Sequence, residues 1–277
     1  MTPIVLAAVS ALVWGTADFS GGKASQRARP LTVTVVSQLL CLPALLVCVL
    51  LVPGTPTGAD LAWGAGAGLA GFAGIVLLYR ALAAGAMAVV APVTAVTAAV
   101  VPIAAGLLTD RTPGAMALGG AGLAVVAIAL VSLGPGAGRS AVTARLIGLS
   151  LLAGALFGLF FALLGQSSAE AGMWPLAAGR ISSILVGVAL LLRSRTPALL
   201  PRPVLGWAAV AGTLDILANA LYLAAAVRGH LSIVAAIAAL YPASTVLLAL
   251  AVDRERLRPV QLAGLGLAAT ALVLATT

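Results

Sequence analysis

The chain is written as apolar runs of about twenty residues parted by short breaks, and that pattern leaves little freedom about where it can fold. A hydrocarbon core of roughly 30 Å takes about 20 helical residues to cross, and such runs recur along all 277 residues. With 62% hydrophobic and 8% charged residues, the chain cannot clothe a water-facing surface, which is normally about a quarter charged. Lipid offers no hydrogen-bond partner, so each run must satisfy its own backbone as a helix, and the alternation that a β-barrel needs is absent.

The breaks predict ten helices, at 4–24, 31–52, 61–82, 87–108, 114–133, 146–167, 174–192, 204–226, 231–251 and 258–276. Pro53-Gly54-Thr55-Pro56 and Gly134-Pro135-Gly136 are the plainest turns. The net charge of +8 does not indicate nucleic acid, because the basic residues stand singly or in small groups between apolar runs, where they orient helices and meet lipid headgroups. Twelve of them (Lys23, Arg27, Arg29, Arg80, Arg139, Arg145, Arg193, Arg195, Arg202, Arg254, Arg256 and Arg258) fall on one side of a ten-helix path, against Arg111 and Arg228 on the other. The positive-inside rule then sets both termini outside. No basic segment precedes the first run, so that run is expected to be a retained helix rather than a cleaved leader. Fourteen of the fifteen basic residues are arginine, as in a GC-rich bacterial genome, and a bacterial inner membrane is the expected location. Cys41 and Cys48 lie in one apolar run and form neither a disulfide framework nor a metal site.

The two halves match at a nearly constant offset. A shift of 143 carries Trp14-Gly15 onto Phe157-Gly158, Lys23 onto Gln166, Ser25 onto Ser168 and Tyr79 onto Tyr222. Slightly larger shifts carry Gly85 onto Gly229 and Asp110-Arg111 onto Glu255-Arg256. Five helices per copy is an odd number, so the second copy enters from the opposite face. The expected architecture is therefore an all-α integral membrane protein of two inverted five-helix repeats, residues 1–138 and 139–277, around a central cavity.

Trp14-Gly15, Tyr79-Arg80-Ala81-Leu82 followed by Gly85 and Ala91-Pro92, and Asp110-Arg111 leading into a Gly-rich helix resemble the EamA-type repeat of the drug/metabolite transporter superfamily. Tyr241-Pro242 and Glu255-Arg256 repeat its ending. The resemblance spans nearly the whole chain and implies export or exchange of amino acids, metabolites or drugs through a ten-helix carrier. Asp110 and Thr112 stand where the repeat usually runs Glu-Arg-Leu, and Gln38 stands where arginine is favoured. These departures leave the substrate open between amino acids or related amphipathic solutes and organic cations.

Charges inside a membrane cost about 3 kcal/mol each, so those retained are candidate functional groups. Asp215, Asn219 and Tyr222 form one stripe on the eighth helix. It either faces the cavity and binds an amine or a proton, or links helices by hydrogen bonds. Arg180 in the seventh helix either binds a substrate carboxylate, pairs with Asp215 or Glu170, or reaches for the outer surface. Asp18 is an inner gate or a solvated helix end. Pro92, Pro102 and Pro242 mark kinks in corresponding helices, beside the hydroxyls of Thr94, Thr97, Tyr241 and Ser244. With Trp14, Phe157, Tyr79 and Tyr222 these define either an aromatic and hydroxyl-lined pocket or ordinary packing. One histidine, His230, supports no haem, HExxH or Ser-His chemistry. An enzyme is not expected, nor is a cofactor; the competing reading is a non-transporting structural subunit. Both repeats lie in one chain, so a monomer with lipid and a small solute as partners, and protons if transport is coupled, is the simplest arrangement.

Overall fold

Ala-, Gly- and Leu-rich sequence without a long β-branched stretch closes its own backbone hydrogen bonds most readily as helix, and that is what the computed structural model of the chain contains. It describes residues 2–83, 90, 93–95, 97–98, 119, 122–123, 125–127, 130, 144–195, 199–241, 244–245, 248, 259–260, 263–264, 266–267 and 270. Among these residues there are helices and turns and no strand. The helices are α1 (Thr2–Ser25), α2 (Pro30–Leu40), α3 (Leu42–Leu51), α4 (Gly58–Ala83), α5 (Ala144–Leu164), α6 (Trp174–Ser194), α7 (Arg202–Ala226) and α8 (Leu231–Ala238), with a 3-10 turn at Ala169–Ala171. Six stretches are long and apolar enough to cross a membrane, α2 and α3 together making one of them. Most of the expected helices at 87–108, 114–133 and 258–276, most of that at 231–251 beyond α8, and Pro92, Pro102 and Pro242 lie outside the described residues.

The second span departs from the uninterrupted helix expected over 31–52. It breaks at Cys41, whose N–H still reaches Ser37 O (3.1 Å), and resumes with Leu45 N–H on Cys41 O (2.9 Å). Pro43 is the cause. It has no N–H to give to Leu39 O, and its ring crowds that carbonyl. At helix starts proline does the opposite, standing within the first two positions of α2, α6 and α7, where no N–H is required.

Many large aliphatic side chains point outward. Leu50, Leu51 and Leu192 are 70%, 75% and 74% exposed, the arrangement expected where the surroundings are as apolar as leucine. Glycines let backbones touch instead. Gly64 lies against the backbone of Pro175 and Gly68 against that of Gly179, joining α4 to α6; Gly212 lies against the backbone of Ser37, joining α7 to α2. Along α4 and α6 rising numbers meet rising numbers, so that pair is parallel.

Two further pairs are antiparallel. Along α1 and α7, Ser10 Oγ donates to Ala218 O (2.8 Å), Trp14 meets Asp215, and Phe19 meets Trp207 with ring centroids 6.3 Å apart. Along α4 and α5, Gly66 faces Leu163, Gly71 faces Phe160 and Gly74 faces Phe157.

One end of the α4–α5 pair is tied. Thr57 and Asp60 form a capping box: the Thr57 N–H and Oγ1 donate to Asp60 Oδ2 (2.8 and 2.6 Å), and the Asp60 N–H donates to Thr57 Oγ1 (3.2 Å). The same carboxylate accepts the Ser168 N–H on Oδ1 (2.7 Å) and the Ser168 hydroxyl on Oδ2 (3.2 Å). The Thr55 N–H donates to Glu170 O (2.8 Å) alongside.

Candidate functional site

Where α1, α2, α4, α5, α6 and α7 converge, the small residues that bring backbones together also leave a hollow, because glycine fills no space beside it. Gly64, Gly68 and Gly71 of α4 and Gly179 of α6 line it, with Phe72, Phe157, Phe160 and Phe161 supplying the apolar wall. The space free of protein atoms is about 690 Å³, counting the open solvent at its mouth.

One wall is polar. Arg180 Nη2 donates to Asp215 Oδ2 at 2.6 Å, an ion pair whose members are 8% and 18% exposed. Trp14 Nε1 donates to the other carboxylate oxygen of Asp215 (3.1 Å). Asn219 Nδ2 donates to the backbone carbonyl of Asp215 (2.6 Å), and Ser183 Oγ to that of Arg180 (3.0 Å). The arrangement follows from helix periodicity. Asp215 and Asn219 are one turn apart on α7, and the antiparallel register of α1 sets Trp14 against them. Both oxygens of Asp215 are thus engaged by N–H donors, which is what a charge buried among helices requires.

The indole of Trp14 continues into an aromatic cluster. Its centroid lies 5.2 Å from Phe161 and 5.8 Å from Tyr222, and Phe161 lies 4.9 Å from Tyr222, all in tilted contact. The Tyr222 hydroxyl donates to Phe161 O (3.2 Å).

The residues singled out from sequence divide accordingly. Trp14, Asp18, Phe157, Arg180, Asp215, Asn219 and Tyr241 line the cavity. Of the alternatives for Arg180, the pair with Asp215 is the one present; Glu170 is exposed on the 3-10 turn. Asp18 faces the cavity one turn beyond Trp14 and does not end its helix in solvent, since α1 runs on to Ser25.

The remaining hydroxyls stand off the wall. Tyr79 is buried with its phenol against Gly21. Thr94 Oγ1 donates to Ser150 O (3.2 Å) and Thr97 Oγ1 to Val93 O (2.7 Å). Ser244 Oγ donates to Ala11 O (3.1 Å) and Tyr241 O (2.8 Å). A hydroxyl among helices finds the nearest carbonyl, on its own preceding turn or the next helix, and these have done so.

Three polar groups went unmarked as site residues in the sequence: Gln38, Ser183 and Asp60. Gln38 and Ser183 line the cavity. Gln38 aligns with Arg180 across the repeat, which is the signal that finds it.

Helices of membrane-crossing length packed around a hollow with a buried ion pair are the build of a polytopic membrane carrier. Comparison with known families agrees: residues 1–133 and 144–277 each match the EamA-like transporter family. The chain belongs to that family, as its motifs suggested, and is a membrane transporter of small solutes. The fold recurs in solved structures. One, titled only as the crystal structure of a protein, is 14% identical, with a TM-score of 0.75 over 99% of this chain and 96% of its own. Among curated proteins none matches.

Proposed function

We propose that the chain is a secondary transporter that exports or exchanges amino acids or related amphipathic solutes across the bacterial inner membrane by alternating access. It does so as a monomer of ten helices in two inverted repeats, residues 1–138 and 139–277, with both termini outside. The observation that carries this reading is the polar wall of Arg180, Asp215, Trp14 and Asn219 facing an aromatic one across a cavity among the helices. Such a site, with Arg180 held by Asp215, offers a carboxylate to an amine and aromatic faces to an apolar side chain.

The helix registers support the inverted arrangement. If the first span of each half is α1 and α5, the second α2–α3 and α6, and the third α4 and α7, then exchanging the halves turns the α1–α7 pair into the α5–α4 pair. It likewise turns the α2–α7 pair into the α6–α4 pair. The glycine crossings follow the same exchange: Gly68 on Gly179 becomes Gly212 on Ser37, at offsets of 144 and 142. Because α7 runs antiparallel to α1, and α1 turns back into α2 across the short 26–29 break as α2–α3 turns back into α4 across 52–57, α7 runs opposite to its counterpart α4. Two like bundles facing opposite ways around one site are what alternating access uses.

The test is uptake into proteoliposomes of radiolabelled neutral, basic and aromatic amino acids, with amines as comparison. The expected result is saturable uptake of some of them, reduced tenfold or more by Asp215→Asn in protein that still purifies as a monodisperse species. Absence of uptake for the whole panel, or uptake indifferent to Asp215, contradicts the proposal.

A further inference from the structure

The cavity's charges do not balance. Among the described residues its lining carries one cation, Arg180, and two carboxylates, Asp18 and Asp215. Arg180 is committed to Asp215. Asp18 receives no hydrogen bond and no ion pair from any described residue, although it faces the same hollow from the turn after Trp14.

The uncharged groups lean the same way. Gln38 Oε1 and Asn219 Oδ1 are buried acceptors without a partner, on side chains that are 3% and 4% exposed and line the cavity. Of the donors nearby, the Trp14 indole and the Arg180 Nη2 are engaged with the carboxylate of Asp215 and the Asn219 amide with the backbone carbonyl of Asp215, while the buried Tyr241 hydroxyl on the same lining is, like the two amide oxygens, without a partner. Unmet acceptors in a low-dielectric site are costly, and a charged donor relieves several at once.

We infer that the solute carries a net positive charge, as an organic amine or a cationic amino acid does, and that its ammonium is held by Asp18 with Gln38 and Asn219 as neutral acceptors. The inference rests on the transport reading above for its site and narrows the substrate class at that site. Asp215 then serves to fix Arg180 and Trp14, and Asp18 is the counterion of the cargo. A neutral zwitterion leaves the surplus carboxylate uncompensated, and an anion worsens the imbalance. The apolar part of the solute rests on Phe157, Phe160 and Phe161.

The test uses three probes of one shape: phenethylamine (cation), phenylalanine (zwitterion) and 3-phenylpropionate (anion). Their binding to the full chain in lipid nanodiscs is measured by radioligand competition, and their transport separately in proteoliposomes. The expected order is phenethylamine first and 3-phenylpropionate last, with at least tenfold between them. Asp18→Asn keeps the shape of the side chain and removes its charge; it is expected to erase most of that preference, and Asp18→Glu to retain it. Equal binding of the three, binding of none, anion preference, or an unchanged order in Asp18→Asn overturns the inference. Preferential amine binding that depends on Asp18 without transport of any probe upholds it and counts against the transport reading. Transport without charge preference does the reverse.

Discussion

At the scale of single residues, the ion pair between Arg180 and Asp215 is the buried charge on which the cavity wall is built. Two charges among helices are tolerated because each has the other and because Trp14 covers the second carboxylate oxygen. Removing one partner strands the other, a loss of roughly 3 to 5 kcal/mol. Arg180→Gln is therefore expected to lower the melting temperature of the purified protein sharply. The double variant Arg180→Gln, Asp215→Asn should recover most of that loss while remaining inactive in uptake. Equal melting of the single variant and the native chain contradicts this.

The sequence made this pair legible because charge inside an apolar run is costly and therefore conspicuous. Trp14 and Phe157 were legible through the repeat. Thr94, Thr97 and Ser244 show the limit of that reasoning, since a hydroxyl's position along a helix does not say which carbonyl it will find.

At the scale of elements, backbone contact between helices is the main packing device. A methyl group at Gly68 falls on the backbone of Gly179, which has no flexible end to move aside, whereas one at Gly206 meets open space. Gly68→Ala should destabilise by about 1 to 3 kcal/mol. Gly206→Ala in α7 should be neutral or gain up to about 1 kcal/mol, since alanine is the better helix former. Denaturant titration of the two variants in detergent checks both, and the reverse order contradicts the account. The Asp60 clasp belongs to this scale as well. Asp60→Ala removes a helix cap worth about 1 kcal/mol together with the tie to Ser168, and should increase spin-label distances between positions 55 and 169 without moving positions within α4.

For the six spans the structure describes, helix existence and extent were readable, because length in lipid is imposed by bilayer thickness. The break at Cys41 is legible in hindsight from Pro43, two residues on. The second use of Asp60 was not, because nothing local couples it to a serine 108 residues away. Thr57-x-x-Asp60 announces a helix start and nothing more.

At the scale of the whole molecule, the chain's membrane class follows from composition, and its family from motifs in both halves. What composition could not supply is register: which face of each helix meets which neighbour, and hence where a hollow forms. That depends on small residues such as Gly64, Gly68 and Gly212 meeting backbone across the halves, a property of pairs of helices and invisible in either alone. The proposed mechanism in turn requires that the hollow exchange its exposure between the two sides of the membrane.

The most direct measurement is two-sided accessibility of one cavity position. Ile75 lines the hollow and is half-buried; as Ile75→Cys, with Cys41 and Cys48 replaced by alanine, it gives a single thiol there. A membrane-impermeant thiol reagent is applied to right-side-out and to inside-out vesicles. The account predicts labelling from both sides, slowed on both by a transported solute. Labelling from one side only, whatever solute is present, would contradict alternating access around this site.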